Sequence, residues 1–121
     1  MQIWLKRAYE EPGPQDGTRV LVDRLWPRGV SKDQADIDLW LKEVAPSDRL
    51  RKWFGHDPGK WEAFKSRYYR ELDDPDNRAI NKLAEIAEQG RVTLVFSAKN
   101  ERRNNAAALK EYMEDRFSHK N

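Results

Sequence analysis

Two stretches of this sequence concentrate side chains that could do chemistry: Asp23-Arg24-Leu25-Trp26-Pro27-Arg28-Gly29 and Ser97-Ala98-Lys99-Asn100-Glu101-Arg102-Arg103-Asn104-Asn105. In the first, Arg24 and Arg28 present planar guanidinium forks suited to a carboxylate or phosphate, and their closeness suggests a clamp. Asp23 would orient Arg24, accept a proton from a substrate, or form an internal salt bridge that holds the loop down. Trp26 stands between the two arginines. There it either stacks a ring while the arginines hold phosphate, or plugs the core beneath the loop.

The second stretch carries a hydroxyl (Ser97), an ammonium (Lys99), two guanidiniums (Arg102, Arg103) and two amides (Asn104, Asn105). Cations at a helix N-terminus are unfavourable by ~0.3–1 kcal/mol each when exposed, and a bound anion reverses that sign. On this reading Arg24, Trp26, Arg28, Ser97, Lys99, Asn104 and Asn105 bind a ligand, with Asp23 or Glu101 as general base. The competing reading is a solvated loop with Asn104 as an ordinary N-cap.

Other chemistries lack their residues. The chain has no cysteine, which removes thiolate nucleophiles, disulfides and Cys-ligated zinc. Its histidines, His56 and His119, have no zinc-ligand spacing, so neither a metal nor a cofactor is expected. His56 follows Gly55 and precedes a helix-capping Asp57, a setting more often structural than catalytic although it could reach a cleft, and His119 lies in the polar tail. The Asp73-Asp74-Pro75-Asp76 run reads as helix punctuation. Ser97 has no base beside it, Gly-x-Ser-x-Gly is absent, and so are the Gly-rich phosphate loops.

The elements that must position these residues follow from spacing. Ile3-Trp4-Leu5, Arg19–Val22 and Arg91–Phe96 read as strands, Arg19–Val22 continuous enough to be covered on both faces and Arg91–Phe96 the clearest of the three. Trp4 is expected to pack on the sheet, and Glu11–Gly17 to be a surface loop. Ser31-Lys32-Asp33-Gln34 has capping-box spacing, while Asp36–Leu41, with Trp40, is compatible with helix or strand. Ser47 is a candidate N-cap for a helix through Leu50, Trp53 and Phe54 that stops at Gly55. Asp57-Pro58 opens the next, whose stripe is Trp61, Phe64, Tyr68 and Leu72. Ile80, Leu83, Ile86 and Ala87 mark a further helix ended by Gly90. Ala106, Leu109, Met113 and Phe117 mark the last. Strands separated by helices predict one compact α/β domain over residues 1–121, a small, largely parallel sheet flanked by helices. Ligands of such sheets bind beyond the C-terminal strand ends, where both chemical stretches should arrive.

Composition narrows the partners. Charged residues make up 36% of the 121, yet the formal net charge is only +2. That is not the excess of a nucleic-acid-binding arm or a polybasic membrane anchor. No apolar run is long enough for a signal peptide or a membrane span, so a cytoplasmic address is expected and no membrane contact. A small anionic ligand is the favoured partner. A nucleic-acid-binding or regulatory interaction module is the alternative, supported by a pI of about 8.9 but by no helix-turn-helix or RNA-binding signature.

Val22–Gly29, Leu41–Ser47, Leu50–Phe54 and Ser97–Glu101 follow one another in an order that resembles the bacterial domain-of-unknown-function 488 family, in its YeaO-like branch. The resemblance covers nearly the whole chain, and the Asp-Arg-Leu-Trp-Pro-Arg-Gly stretch is its most specific part. It implies a compact α/β domain in the bacterial cytosol without an established activity. Other branches of the family carry Cys and His-Arg around the last strand–helix loop. This chain has Ser97 and Arg102-Arg103 there, so the resemblance brings no thiol chemistry with it.

Overall fold

Val92–Phe96 (β4) is buried at all five positions, as a strand inside a parallel sheet must be. In the computed structural model, which describes residues 1–117, this strand pairs on one side with Ile3–Arg7 (β1). On the other it pairs with Thr18–Leu21 (β2), which in turn pairs with Leu39–Trp40 (β3). The order is β1-β4-β2-β3 and every pairing is parallel. The chain is therefore an α/β protein with a four-stranded parallel sheet, as its pattern predicts. Asp36–Leu41 takes the extended of its two alternatives. The short helix Lys32–Ala35 (α1), with its Ser31 capping box, ends on a left-handed Asp36, and the chain then extends into β3.

Side chains alternate across the strands, and the two faces differ in what covers them. Ile3, Val20, Val22, Val92, Leu94 and Phe96 join the main core, which is built with four helices: Asp48–Phe54 (α2), Trp61–Leu72 (α3), Ala79–Gln89 (α4) and Asn105–Phe117 (α5). Their buried residues are largely the expected stripes: Leu50 and Phe54, then Trp61, Phe64, Tyr68 and Leu72, then Ile80, Leu83 and Ala87, then Ala106, Leu109 and Met113. Ile86, Trp53 and Phe117 are only partly buried at its margin. Trp53 packs against the core from its margin, and Lys60 and Arg67 place their cations 4.9 and 4.0 Å from its ring.

The opposite face carries a smaller cluster, Ala8, Leu21 and Val95, flanked by Trp26, Ile37 and Trp40. Beside it lies a buried ion network that the sequence reading missed. Asp16 accepts Lys6 Nζ at 3.0 Å, Arg19 Nη1 at 2.7 Å and the Gly13 N–H at 3.0 Å. Arg19 also donates to the Ala35 and Asp36 carbonyls. The 11–17 segment is thus not wholly a surface loop, since Asp16 is only 2% exposed. Gly17 anchors it: at φ 69° it lies so close to Arg91 that a Cβ would meet the Arg91 carbonyl at 2.2 Å. Trp4 departs from expectation in the other direction. It is 40% exposed, and the Arg91 guanidinium lies 4.1 Å from its ring instead of a core packing against it.

Candidate functional site

Because β2 and β4 run side by side with Leu21 opposite Val95, the chain leaves both strands at one edge of the sheet. The Val22 N–H still bonds the Val95 carbonyl, which sets Asp23 against Ser97. One Asp23 oxygen, Oδ2, accepts the Ser97 N–H at 2.9 Å and the Ser97 hydroxyl at 2.7 Å. The other, Oδ1, accepts the Asn105 side-chain amide at 3.0 Å, and that amide also donates to the Val22 carbonyl. Asp23 therefore ties the ends of β2 and β4 to the first turn of α5. It makes no arginine ion pair among the described residues, so its predicted role of orienting Arg24 is not what the geometry shows.

The loop into α5 is organised by two asparagines. Asn100 Oδ1 accepts the N–H groups of Arg102 and Arg103 at 3.0 and 2.9 Å. Asn104 Oδ1 accepts the Ala107 N–H at 2.8 Å, so Asn104 is the ordinary N-cap of the competing reading, and it is buried.

Beyond the strand ends lies an open cavity of about 360 Å³. Asp23–Trp26 and Arg28, Ser97-Ala98 and Arg103–Asn105 form one side of it. The other side is Ala45-Pro46 with Arg51, Phe54 and His56 of the α2 region. Four guanidiniums line it, those of Arg24, Arg28, Arg51 and Arg103, against the single carboxylate of Asp23. Arg24 donates through Nη2 to the Ala45 carbonyl at 3.3 Å, and its Nε is buried with no partner among the described residues. Arg51 pairs with Asp48 at 3.0 Å, and this hydrogen bond holds the Asp48 carboxyl below its ordinary value. Arg28 and Arg103 are exposed and form no ion pair among the described residues.

The far wall is fixed from behind. Ser47 caps α2 by accepting the Leu50 N–H at 3.2 Å, while its own hydroxyl and N–H donate to the Glu71 carboxylate at 2.6 and 2.9 Å. The buried Tyr68 hydroxyl donates to the Val44 carbonyl. Burial, reinforced by the Glu71 and Asp23 charges, pushes that phenol well above its ordinary value, so it stays a donor. Together these bonds hold the Ala45–Ser47 turn, which carries the carbonyl that Arg24 reaches.

Of the residues singled out in the sequence, Asp23, Arg24, Trp26, Arg28, Ser97, Asn104 and Asn105 are brought together at this cavity. Lys99 and Glu101 are exposed and do not line it. Trp26 adopts the plugging alternative on one side while lining the cavity on the other. Its Nε1–H bonds the Val30 carbonyl at 2.7 Å and its ring meets Trp40 edge-on at 5.5 Å. Arg51, Phe54 and Tyr9 were missed as site residues, whereas His56 reaches the cleft, as one of its two alternatives had it. Only the Ser47 capping signal pointed toward α2, and nothing local in the sequence says which strand end that helix faces.

The fold and this pocket define an α/β protein with a cationic cleft at the carboxyl edge of a parallel sheet. The chain belongs to the domain-of-unknown-function 488 family: residues 2–121 match the group described as the inactive DUF488-N3 subclade. It is similar to the uncharacterised protein YeaO of Escherichia coli, 40% identical over 113 residues, 93% of this chain and 97% of that protein. It is also similar to an uncharacterised protein of Mycobacterium tuberculosis, 39% identical over 115 residues, 95% of this chain and 96% of the relative. No solved structure matches the chain. Among the described residues no helix is long and apolar enough to cross a membrane, and no group of acidic and histidine side chains is arranged to hold a metal ion.

Proposed function

We propose that this protein binds a small phosphorylated or carboxylated anion in the strand-end pocket, in the cytoplasm, and does so without converting it. The observation that carries the reading is the charge imbalance of one cavity: four arginines, of which Arg51 alone is ion-paired among the described residues, to Asp48, line it with a single carboxylate. That carboxylate already accepts three hydrogen bonds from Ser97 and Asn105. An anion would be held by guanidiniums of this cavity in the planar, bidentate manner for which arginine is suited. Binding without turnover is favoured because Asp23 is engaged as a structural acceptor, and the Ser97 hydroxyl proton is committed to it. Glu101 does not line the cavity. The word "inactive" in the description of the matching subclade agrees with this choice.

A thermal-shift series with phosphate, sulfate, sugar phosphates and nucleotides tests the proposal. A ligand at a hundred times its dissociation constant stabilises by ~2.7 kcal/mol, a shift of several degrees for a protein of this size. Such a shift that disappears in Arg28→Ala supports the reading, and no shift with any anion refutes it. One observation favours a nucleic acid as the second reading: Lys99, Arg102 and Arg103 are all exposed on the loop between β4 and α5. Retention on RNA or DNA that falls steeply with salt would replace the small ligand with that partner.

A further inference from the structure

The strand-end cavity is two-sided, and on its second side the one guanidinium, that of Arg51, is already paired with Asp48. An oxyanion of five heavy atoms needs only a part of about 360 Å³. The remainder is lined by apolar groups. Phe54 and Phe64 stack with centroids 4.4 Å apart and planes 27° from parallel, and both, with Pro46, border the cavity. At its rim stand Leu25, 65% exposed, and Tyr9, 49% exposed. These are two of the four large hydrophobic side chains exposed among the described residues. Tyr9 is held in place, because its hydroxyl donates to the Arg28 carbonyl at 3.1 Å and the Arg7 guanidinium lies 4.9 Å from its ring.

We infer that the ligand of this pocket is a phosphomonoester carrying a flat aromatic ring, of the size of a nucleoside monophosphate. The inference rests on the anion-binding reading and extends it. A phosphomonoester is preferred to a carboxylate because its charge of about −1.5 to −2 at neutral pH suits several guanidiniums better than a single charge does. A flat ring is preferred to an alkyl chain because the rim offers a tyrosine face and guanidinium planes, both of which stack on aromatic surfaces. Pockets of this volume that pair an apolar lining with a few convergent polar groups are the usual form of a small-molecule site.

The test is isothermal titration of the full chain with inorganic phosphate, glycerol 1-phosphate, phenyl phosphate, adenosine monophosphate and adenosine. Phenyl phosphate and adenosine monophosphate are expected to bind at least tenfold more tightly than glycerol 1-phosphate, and adenosine at least tenfold more weakly than its monophosphate. Leu25→Ser, at an exposed position that folding does not depend on, should lower the affinity of the ring-bearing ligands at least fivefold more than that of glycerol 1-phosphate. Equal affinity for all four phosphates overturns the ring inference and leaves the anion reading standing. Adenosine binding as tightly as its monophosphate overturns the anion reading, and no binding by any compound overturns both.

Discussion

The protein contains two constellations of aspartate with basic residues, one on each side of the point where β2 and β4 run together, and they have opposite characters. On the loop-covered face, Asp16 sits between Lys6 and Arg19 with every donor aimed at an acceptor, and both Asp16 and Arg19 are 2% exposed. At the strand ends, Asp23 is satisfied by a hydroxyl and amides, and the arginines around it are left facing a cavity. A closed network of this kind holds the chain in one arrangement, and breaking it by removing one partner is costly. An open one leaves positive charge for something else to neutralise. The same residue types thus serve structure in one place and offer a binding surface in the other, and what separates them is whether the charges find partners within the chain.

That contrast can be broken most forcefully at the closed network. Asp16→Ala leaves the Arg19 guanidinium buried without its counter-charge and should cost ~3–5 kcal/mol, read as a lowered urea midpoint. Protonation should act in the same direction. Burial raises the Asp16 carboxyl, but the Gly13 N–H, Lys6 and Arg19 outweigh it and leave the group below its ordinary value of 3.8. Its stabilisation is therefore complete above about pH 4 and is lost as the pH falls through the depressed folded value. The fall in urea midpoint below pH 4 should be shallower in Asp16→Asn than in the wild type.

A smaller effect is expected from Asp23→Ala, which strands the Ser97 N–H, the Ser97 hydroxyl and the Asn105 amide at a part-exposed position. The expected loss is ~1–3 kcal/mol, measured in the same denaturation. Smallest of all are the exposed cations: Arg28→Ala and Lys99→Ala should each stay within about 0.5 kcal/mol of the wild type. They differ in ligand response, since only Arg28 lines the cavity. Arg28→Ala should lose the anion-induced rise in melting temperature, and Lys99→Ala should keep it.

How much of this was legible before the structure depended on whether a feature is local. The helical stripes, the Ser31 and Ser47 caps and the Gly55 stop each lie within a few residues, and each appears where its signal predicts. The meeting of Asp23 with Ser97 was inferable from the rule that parallel strands present their ligands at one end, although the serine, not an arginine, turned out to be its partner. Asp16 was not legible, because a Pro- and Gly-rich run is ordinarily solvated and burial here depends on Lys6 and Arg19 arriving from two strands. Arg51 and Phe54 were unreadable as site residues for a similar reason: α2 reaches the cavity through a turn held by Ser47 and Glu71, 24 residues apart. Lys99 and Glu101 looked close to the chemistry in sequence, but the Asn100 turn carries them away from it.

The most direct test of the open site is an amide NMR titration of the full chain with adenosine monophosphate. If the strand-end pocket receives the ligand, chemical-shift changes concentrate at Asp23–Arg28, Ser97-Ala98 and Arg103–Asn105, while Gly13, Asp16 and Arg19 in the closed network stay unmoved. Changes centred away from that cavity, or none at saturating ligand, would contradict the account.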